Sequence, residues 1–381
     1  MATHTSGARA APQLISLQVL RFIAAGMVVY VHALATYADK IAPVTGGLAP
    51  AALGEFGVKL FFCISGYIIY LSSGQLRTGL SSAADFMQRR LTRIVPLYWA
   101  ATLLYALKLV LQGNEPALAD IFRSLFFIPY ADVHGLMRPV LGVGWSLNYE
   151  MMFYLLFGFT LLLRPSRRIG VLCAALGLLL AGHYLLPPTA DSGALHIALY
   201  LLGDYYLLYF LAGLLIARLQ INGYLHDRLP RLRATVVVAA LLILLAAYCL
   251  PALLTTMPGM VAESLMAIIC VVCLLLCTLE KPAPPGQELT TVRMLKLGGD
   301  ASYCTYLTHG FIMGPCARMF SLLGQQPDPA WFALAMVPVC SAAGIILYCV
   351  FEKPLLRKLA AALRSPMQAP PELKPQLPYG K

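Results

Sequence analysis

The sequence predicts an all-α fold, a polytopic membrane bundle of about ten transmembrane helices with the N-terminus and C-terminus both inside. Three observations predict it. Of 381 residues, 59% are hydrophobic and only 12% charged, whereas soluble domains run at about 45–50% apolar and about 25% charged. Residues 234–262 and 329–351 hold no Asp, Glu, Lys, Arg or His, and uncharged apolar runs of roughly 18 residues or more mark membrane spans. The net charge of +11 is concentrated in alternate links between apolar runs, where it sets orientation. A soluble enzyme, a nucleic-acid-binding domain and a secreted disulfide scaffold are excluded.

The apolar runs fall at 14–35, 54–72, 91–111, 140–163, 169–187, 195–217, 234–253, 259–279, 299–323 and 331–352. Residues 121–130 are apolar but too short to cross, and suit an interfacial or re-entrant piece. They lie in the longest outer link, 112–139, which is placed to cap a site. Pro251 and Pro258 mark a break between the seventh and eighth runs. With the N-terminus in the cytoplasm, every inner link is basic; the Lys and Arg residues elsewhere are Lys40, Lys59, Lys108, Arg123, Arg138 and Arg318. Residues 1–13 and the Pro-rich 358–381 read as disordered cytoplasmic tails flanking a transmembrane domain over 14–357. The first run is too long for a signal-peptide core and carries Arg21, so no cleavable signal is expected. The ten cysteines lie almost all in apolar runs and read as small core residues. Cys270, Cys273 and Cys277 have ligand-like spacing without a carboxylate or His beside them, so no metal or prosthetic group is expected.

Ionisable side chains inside the runs carry the chemistry, since each costs on the order of 3 kcal/mol on insertion scales. Arg21 and His32 are eleven residues apart on one helix, which puts them on one face and roughly 16 Å apart along the axis. Alone, each has a bland reading, as a snorkelling Arg or a satisfied core His. Arg90 and Arg93, at i and i+3, project from one side of the third run at its cytoplasmic mouth. They are positive-inside anchors or a guanidinium cluster for a ligand carrying phosphates. Glu150 lies midway along the fourth run, where a carboxylate must be protonated or paired. Ser302, Thr305 and His309 form a polar stripe on the ninth run, facing a cavity or serving an interhelical hydrogen-bond network. Two imidazoles, a mid-membrane carboxylate and a cluster of guanidinium groups suit proton abstraction from a hydroxyl beside a phosphate-bearing donor. The competing class is a transporter or flippase for a lipid-linked glycan, which calls for internal repeats or paired broken helices; the sequence has neither. Haem held between His32 and His309 is a third reading, decided by visible absorbance.

Six elements in order resemble the membrane acyltransferase 3 family, and within it the ExoZ-type exopolysaccharide O-acetyltransferases. LQVLRFIAAGMVVYVH carries the Arg-x10-His pattern at Arg21 and His32. GVKLFFCISGYII carries Ser65, Gly66 and Tyr67; FMQRRLTRIVPLYW carries Arg90, Arg93, Pro96 and Tyr98. WSLNYEMMFYLL holds Trp145, Ser146 and Glu150, GDASYCTYLTH ends on His309, and FEKP occupies 351–354. The resemblance covers about 14–357 and departs at Lys59, where the family often has an acidic residue. It implies acetyl-CoA as a cytoplasmic acyl donor and a carbohydrate or lipid-linked glycan hydroxyl as acceptor, in the bacterial inner membrane. It also implies a catalytic His32 and roles for Arg21, Arg90 and Arg93 in catalysis or donor binding.

On this footing His32 is expected to act as general base or transient acyl carrier, with Glu150 to orient it. Ser65, Tyr67 and His309 are further candidates for acceptor binding or for the oxyanion. A succinyl donor, or an O-antigen, glycolipid or macrolide-sugar acceptor, fits the same residues. Oligomeric state is not encoded. One tension is built in, because His32 falls toward the outer end of its span while the donor enters from inside.

Overall fold

The computed structural model describes residues 14–44, 51–74, 76–131, 137–189, 192–225, 232, 236–242, 244–245, 259–280 and 290–362. Among them no β-strand occurs, only isolated bridges at Ala131–Met137 and Leu232–Glu280. The helices are α1 (Ile15–Lys40), α2 (Ala51–Ser73), α3 (Leu80–Leu111), α4 (Leu118–Leu125), α5 (Trp145–Thr160), α6 (Pro165–Leu185) and α7 (Ala194–Leu202). They continue with α8 (Tyr206–Ile221), α9 (Gly259–Thr278), α10 (Thr290–Asp300), α11 (Ser302–Leu322), α12 (Pro329–Leu347) and α13 (Lys353–Ala362). A π-helical turn over Tyr348–Glu352 links the last two.

Five described helices are long and apolar enough to cross a membrane, and a sixth span follows if α7 and α8, bent by 50°, count as one. The expected ten included runs that become shorter or more polar helices. α5 has only 16 residues, and α11 carries Ser302, Thr305, His309 and Arg318 along its length. Of the run at 234–253, only 236–242 and 244–245 are described, as helix, and the rest lies outside the described residues, as do Pro251, Pro258 and the segments 1–13 and 363–381. The third run is longer than expected: α3 has 32 residues, about 48 Å at 1.5 Å per residue, against a hydrocarbon core of about 30 Å. Its first turns, with Arg89, Arg90 and Arg93, therefore belong to the same helix, which has Pro96 inside it. The short outer piece is α4, held to α3 by Tyr98 Oη donating to the Ser124 carbonyl (3.1 Å) and Trp99 Nε1 to the Leu125 carbonyl (2.8 Å).

Helix directions follow from the contacts. Gly57 lies against Ala24 and Val28, and Gly54 against Val31, so α1 and α2 are antiparallel. Gly298 meets Phe22 while His309 meets His32, so α10 and α11 run alongside α1 in the same direction. Tyr303 Oη donates to the Ile94 carbonyl and Tyr105 packs on Phe311, so α3 runs with α11. α5 and α8 run with α2, since Glu55 meets Tyr205 while Tyr67 meets Gln220, and Tyr149 meets Tyr206 while Phe153 meets Phe210. The α2–α8 contact is the tightest: a Cβ on Gly66 would sit 1.9 Å from the Phe210 carbonyl oxygen, and one on Gly213 1.8 Å from that of Cys63. Only hydrogen at both positions lets the backbones meet this closely. The α1 N-terminus has no local cap. Buried Glu280 supplies one from afar, accepting from the amides of Ile15 (3.1 Å) and Ser16 (2.7 Å), which satisfies two orphan donors with an anion at the positive end of the dipole.

Candidate active site

Five helices enclose a cleft of about 770 Å3, its open mouth included. Arg21 enters from α1; Val58, Phe61, Phe62 and Ser65 from α2; Arg90, Arg93 and Ile94 from α3; Ser146, Glu150 and Tyr154 from α5; Ser302, Tyr303 and Tyr306 from α11. The three arginines named from sequence are thus brought into one space, together with Glu150 and Ser65. The i, i+3 spacing of Arg90 and Arg93 aims both at it, and the unbroken α3 holds them there.

Arg90 is fixed on three sides. Its Nη2 donates to Ser72 Oγ at 2.8 Å, and its guanidinium lies over the rings of Phe86 (5.4 Å) and Tyr154 (5.7 Å). Its buried Nε finds no hydrogen-bond partner among the described residues, and neither does the Oγ of fully buried Ser302. Both residues line the cleft, so a guanidinium edge and a hydroxyl are left with unspent protons. Buried donors without partners are rare and call for a ligand or water.

Glu150 accepts from Ser65 Oγ at 2.9 Å and from Tyr154 Oη at 2.5 Å. It makes its bonds inside the cleft, and the side chain bonded to His32 is a different one. Ser65 spends its single hydroxyl proton on that carboxylate, leaving Ser65 only lone pairs to offer. Ser146 and Tyr306 share a hydrogen bond of 2.8 Å, and Tyr306 Oη also reaches the Val143 carbonyl at 3.0 Å. Tyr306 packs edge-on to Phe61, ring centres 6.0 Å apart.

His32 is not in the wall of the cleft. It lies beyond Tyr306, whose ring centre is 6.3 Å from that of His309. His32 Nδ1 is 2.7 Å from His309 Nε2, and His309 is buried, with Nδ1 3.2 Å from the Thr305 carbonyl. Arg21 and His32 occupy one unbroken helix, so the axial gap of roughly 16 Å stands. Tyr67 is placed elsewhere: its ring is buried against α8 and its hydroxyl donates to Gln220. The departure at Lys59 is explained by a partner remote in sequence. Lys59 is fully buried and binds Glu55 (2.9 Å) and Glu263 (2.6 Å) beneath the rings of Tyr205, Tyr206 and Tyr209.

Sequence reasoning passed over Phe61, Tyr154 and Tyr303 as cleft residues. Tyr154 was findable as the i+4 neighbour of Glu150; nothing local marks Phe61 or Tyr303. Among the described residues no group of three or more His, Cys, Asp or Glu is placed to hold a metal.

The profile of a family described as an acyltransferase domain matches residues 14–349. The exopolysaccharide production protein ExoZ of Rhizobium meliloti (strain 1021) is 30% identical over 314 residues, which cover 80% of this chain and 90% of that protein. No solved structure matches the chain.

Proposed function

This chain belongs to the membrane acyltransferase 3 family, and from that premise we propose that it moves an acetyl group from cytoplasmic acetyl-CoA to a hydroxyl of an exopolysaccharide or its lipid-linked precursor. The observation that carries the reading is the cleft, with three arginines lining it and the aromatic side of Tyr306, then the His309–His32 pair, beyond it. The end of the bundle where α1 begins is taken as the cytoplasmic face of a bacterial inner membrane, because the inner links are basic.

Arg90, Arg93 and Arg21 hold the donor's phosphates, where guanidinium forks bind in the planar, charge-assisted way that a lysine does not reproduce. The donor supplies an activated thioester. Ser302 Oγ, with its proton unspent, hydrogen-bonds the donor where it lies in the cleft. Glu150 balances the arginine charge and orients the hydroxyls of Ser65 and Tyr154. His32, with a reference pKa near 6.5, is available as a neutral base around pH 7. It takes the proton of the acceptor hydroxyl as that oxygen bonds to the acyl carbon. The C–S bond breaks, its electron pair leaves on sulfur, and the proton returns to that thiolate. Tyr306 and Phe61 must swing aside for the acyl group to meet the acceptor at His32, or His32 must carry it as an acyl-imidazole.

The test is thioester turnover in inverted membrane vesicles given acetyl-CoA and a lipid-linked glycan extract. Wild type should release CoA and acetylate glycan, and His32→Ala should lose roughly 10²–10⁴-fold in kcat. A folded His32→Ala protein with full activity would remove His32 from the chemistry.

A further inference from the structure

The His32–His309 contact says more than that two imidazoles are close. The rings are nearly parallel, 10° apart, with centres 4.9 Å from one another. That spacing is about the 2.7 Å N···N distance plus the reach from each ring centre to its own nitrogen. The hydrogen bond therefore runs along the line of centres, edge to edge in a nearly shared plane, where ring lone pairs and N–H bonds point. It is a directed N–H···N bond rather than face-to-face stacking.

Its direction can be derived. His309 Nδ1 faces the Thr305 carbonyl oxygen at 3.2 Å. A carbonyl only accepts, so in the neutral ring the His309 proton is on Nδ1 and its Nε2 keeps the lone pair. That lone pair needs a donor, and the atom facing it is His32 Nδ1. The proton of neutral His32 is therefore on Nδ1, and its Nε2 is left with the lone pair. This reverses the tautomer that a free imidazole side chain favours in water.

We propose that His309 is the positioning residue of the acyl transfer: it holds His32 in the Nδ1–H tautomer and presents Nε2 as the basic nitrogen. The proposal rests on His32 being the base of the reading above. Bases of this kind are commonly oriented through their second nitrogen by a carboxylate. Here a neutral imidazole does it, and Glu150, the carboxylate expected in that role, is occupied with Ser65 and Tyr154. Burial keeps His309 in place: it is 2% exposed, and Cys340 Sγ approaches its own carbonyl from α12. When His32 gains a proton on Nε2, its Nδ1–H remains directed at His309 Nε2, so the new charge is shared across two rings without a buried counter-anion.

The experiment uses the full chain in lipid nanodiscs with 15N-labelled histidine, the His32 resonances being identified by their loss in His32→Gln. The expected wild-type spectrum has a protonated Nδ1 and an unprotonated Nε2 on His32. In His309→Phe, which has no acceptor, the His32 proton should move to Nε2, and kcat should fall roughly 10²–10⁴-fold with donor KM within about threefold. His309→Gln, whose amide oxygen can accept from Nδ1, should recover most of the activity. A protonated Nε2 on wild-type His32 would overturn the proposal, and needs neither substrate nor variant. So would a His309→Phe protein whose tautomer changes while kcat does not. Full activity in His32→Ala would instead overturn the base assignment beneath it, leaving the spectra as a separate result.

Discussion

Arg90→Lys isolates what a guanidinium does in the cleft that a charge alone cannot. Arginine has five N–H donors in a fixed plane. At Arg90 the bond to Ser72 uses Nη2, the rings of Phe86 and Tyr154 hold the plane, and Nε has no partner among the described residues. The guanidinium thus keeps N–H donors besides the one given to Ser72, in a plane that the rings hold. Lysine keeps the charge and loses the second bond of the fork and the stacking. One charge-assisted hydrogen bond is worth about 1.5–3 kcal/mol, which converts to a donor KM raised roughly 10- to 150-fold at tenfold per 1.4 kcal/mol. kcat should stay within a few-fold, because Arg90 lies on the cleft wall and His32 beyond it. The assay is initial-rate CoA release against acetyl-CoA concentration at saturating acceptor. An unchanged KM in Arg90→Lys would refute the phosphate assignment and leave Arg90 as a positive-inside anchor. A fall in kcat at constant KM would place it in the chemistry instead.

Three further outcomes follow from the geometry. Ser302→Ala should raise the donor KM roughly 2- to 12-fold with kcat little changed, the loss of one neutral hydrogen bond of about 0.5–1.5 kcal/mol; the same kinetic assay reads it. Gly66→Ala should destabilise the bundle by about 1–3 kcal/mol or more, as its Cβ would lie 1.9 Å from the Phe210 carbonyl oxygen and α2 and α8 must part; denaturation in detergent measures it. Lys59→Met should cost about 1–3 kcal/mol by leaving the part-exposed Glu55 and Glu263 facing each other without their cation. The triple variant with Glu55→Gln and Glu263→Gln should recover most of that loss, again by denaturation, which separates charge imbalance from lost packing.

Much of this protein is legible along the chain, because the signals are local. Helical character comes from apolar runs in which lipid leaves the backbone no partner but itself. The axial relation of Arg21 to His32 and the shared side of Arg90 and Arg93 follow from helix pitch within one rod, and the stripe from Ser302 to His309 follows in the same way. The motifs that resemble an acyltransferase family were also readable in order, and the family comparison agrees. Run lengths were less secure: α3 begins eleven residues before its apolar run, because amphipathic turns outside the hydrocarbon remain helical without being apolar. What only tertiary structure decided are contacts between residues hundreds of positions apart. His32 meets His309, Lys59 meets Glu263, and Glu280 caps α1. Glu150 and Tyr67 stood as candidates beside His32, yet one turns to Ser65 and the other to Gln220. Helical periodicity says which face a side chain occupies; which neighbour meets that face depends on how the helices cross. That crossing is set where small residues such as Gly66 and Gly213 let two backbones touch, a property of pairs of segments that neither segment carries alone.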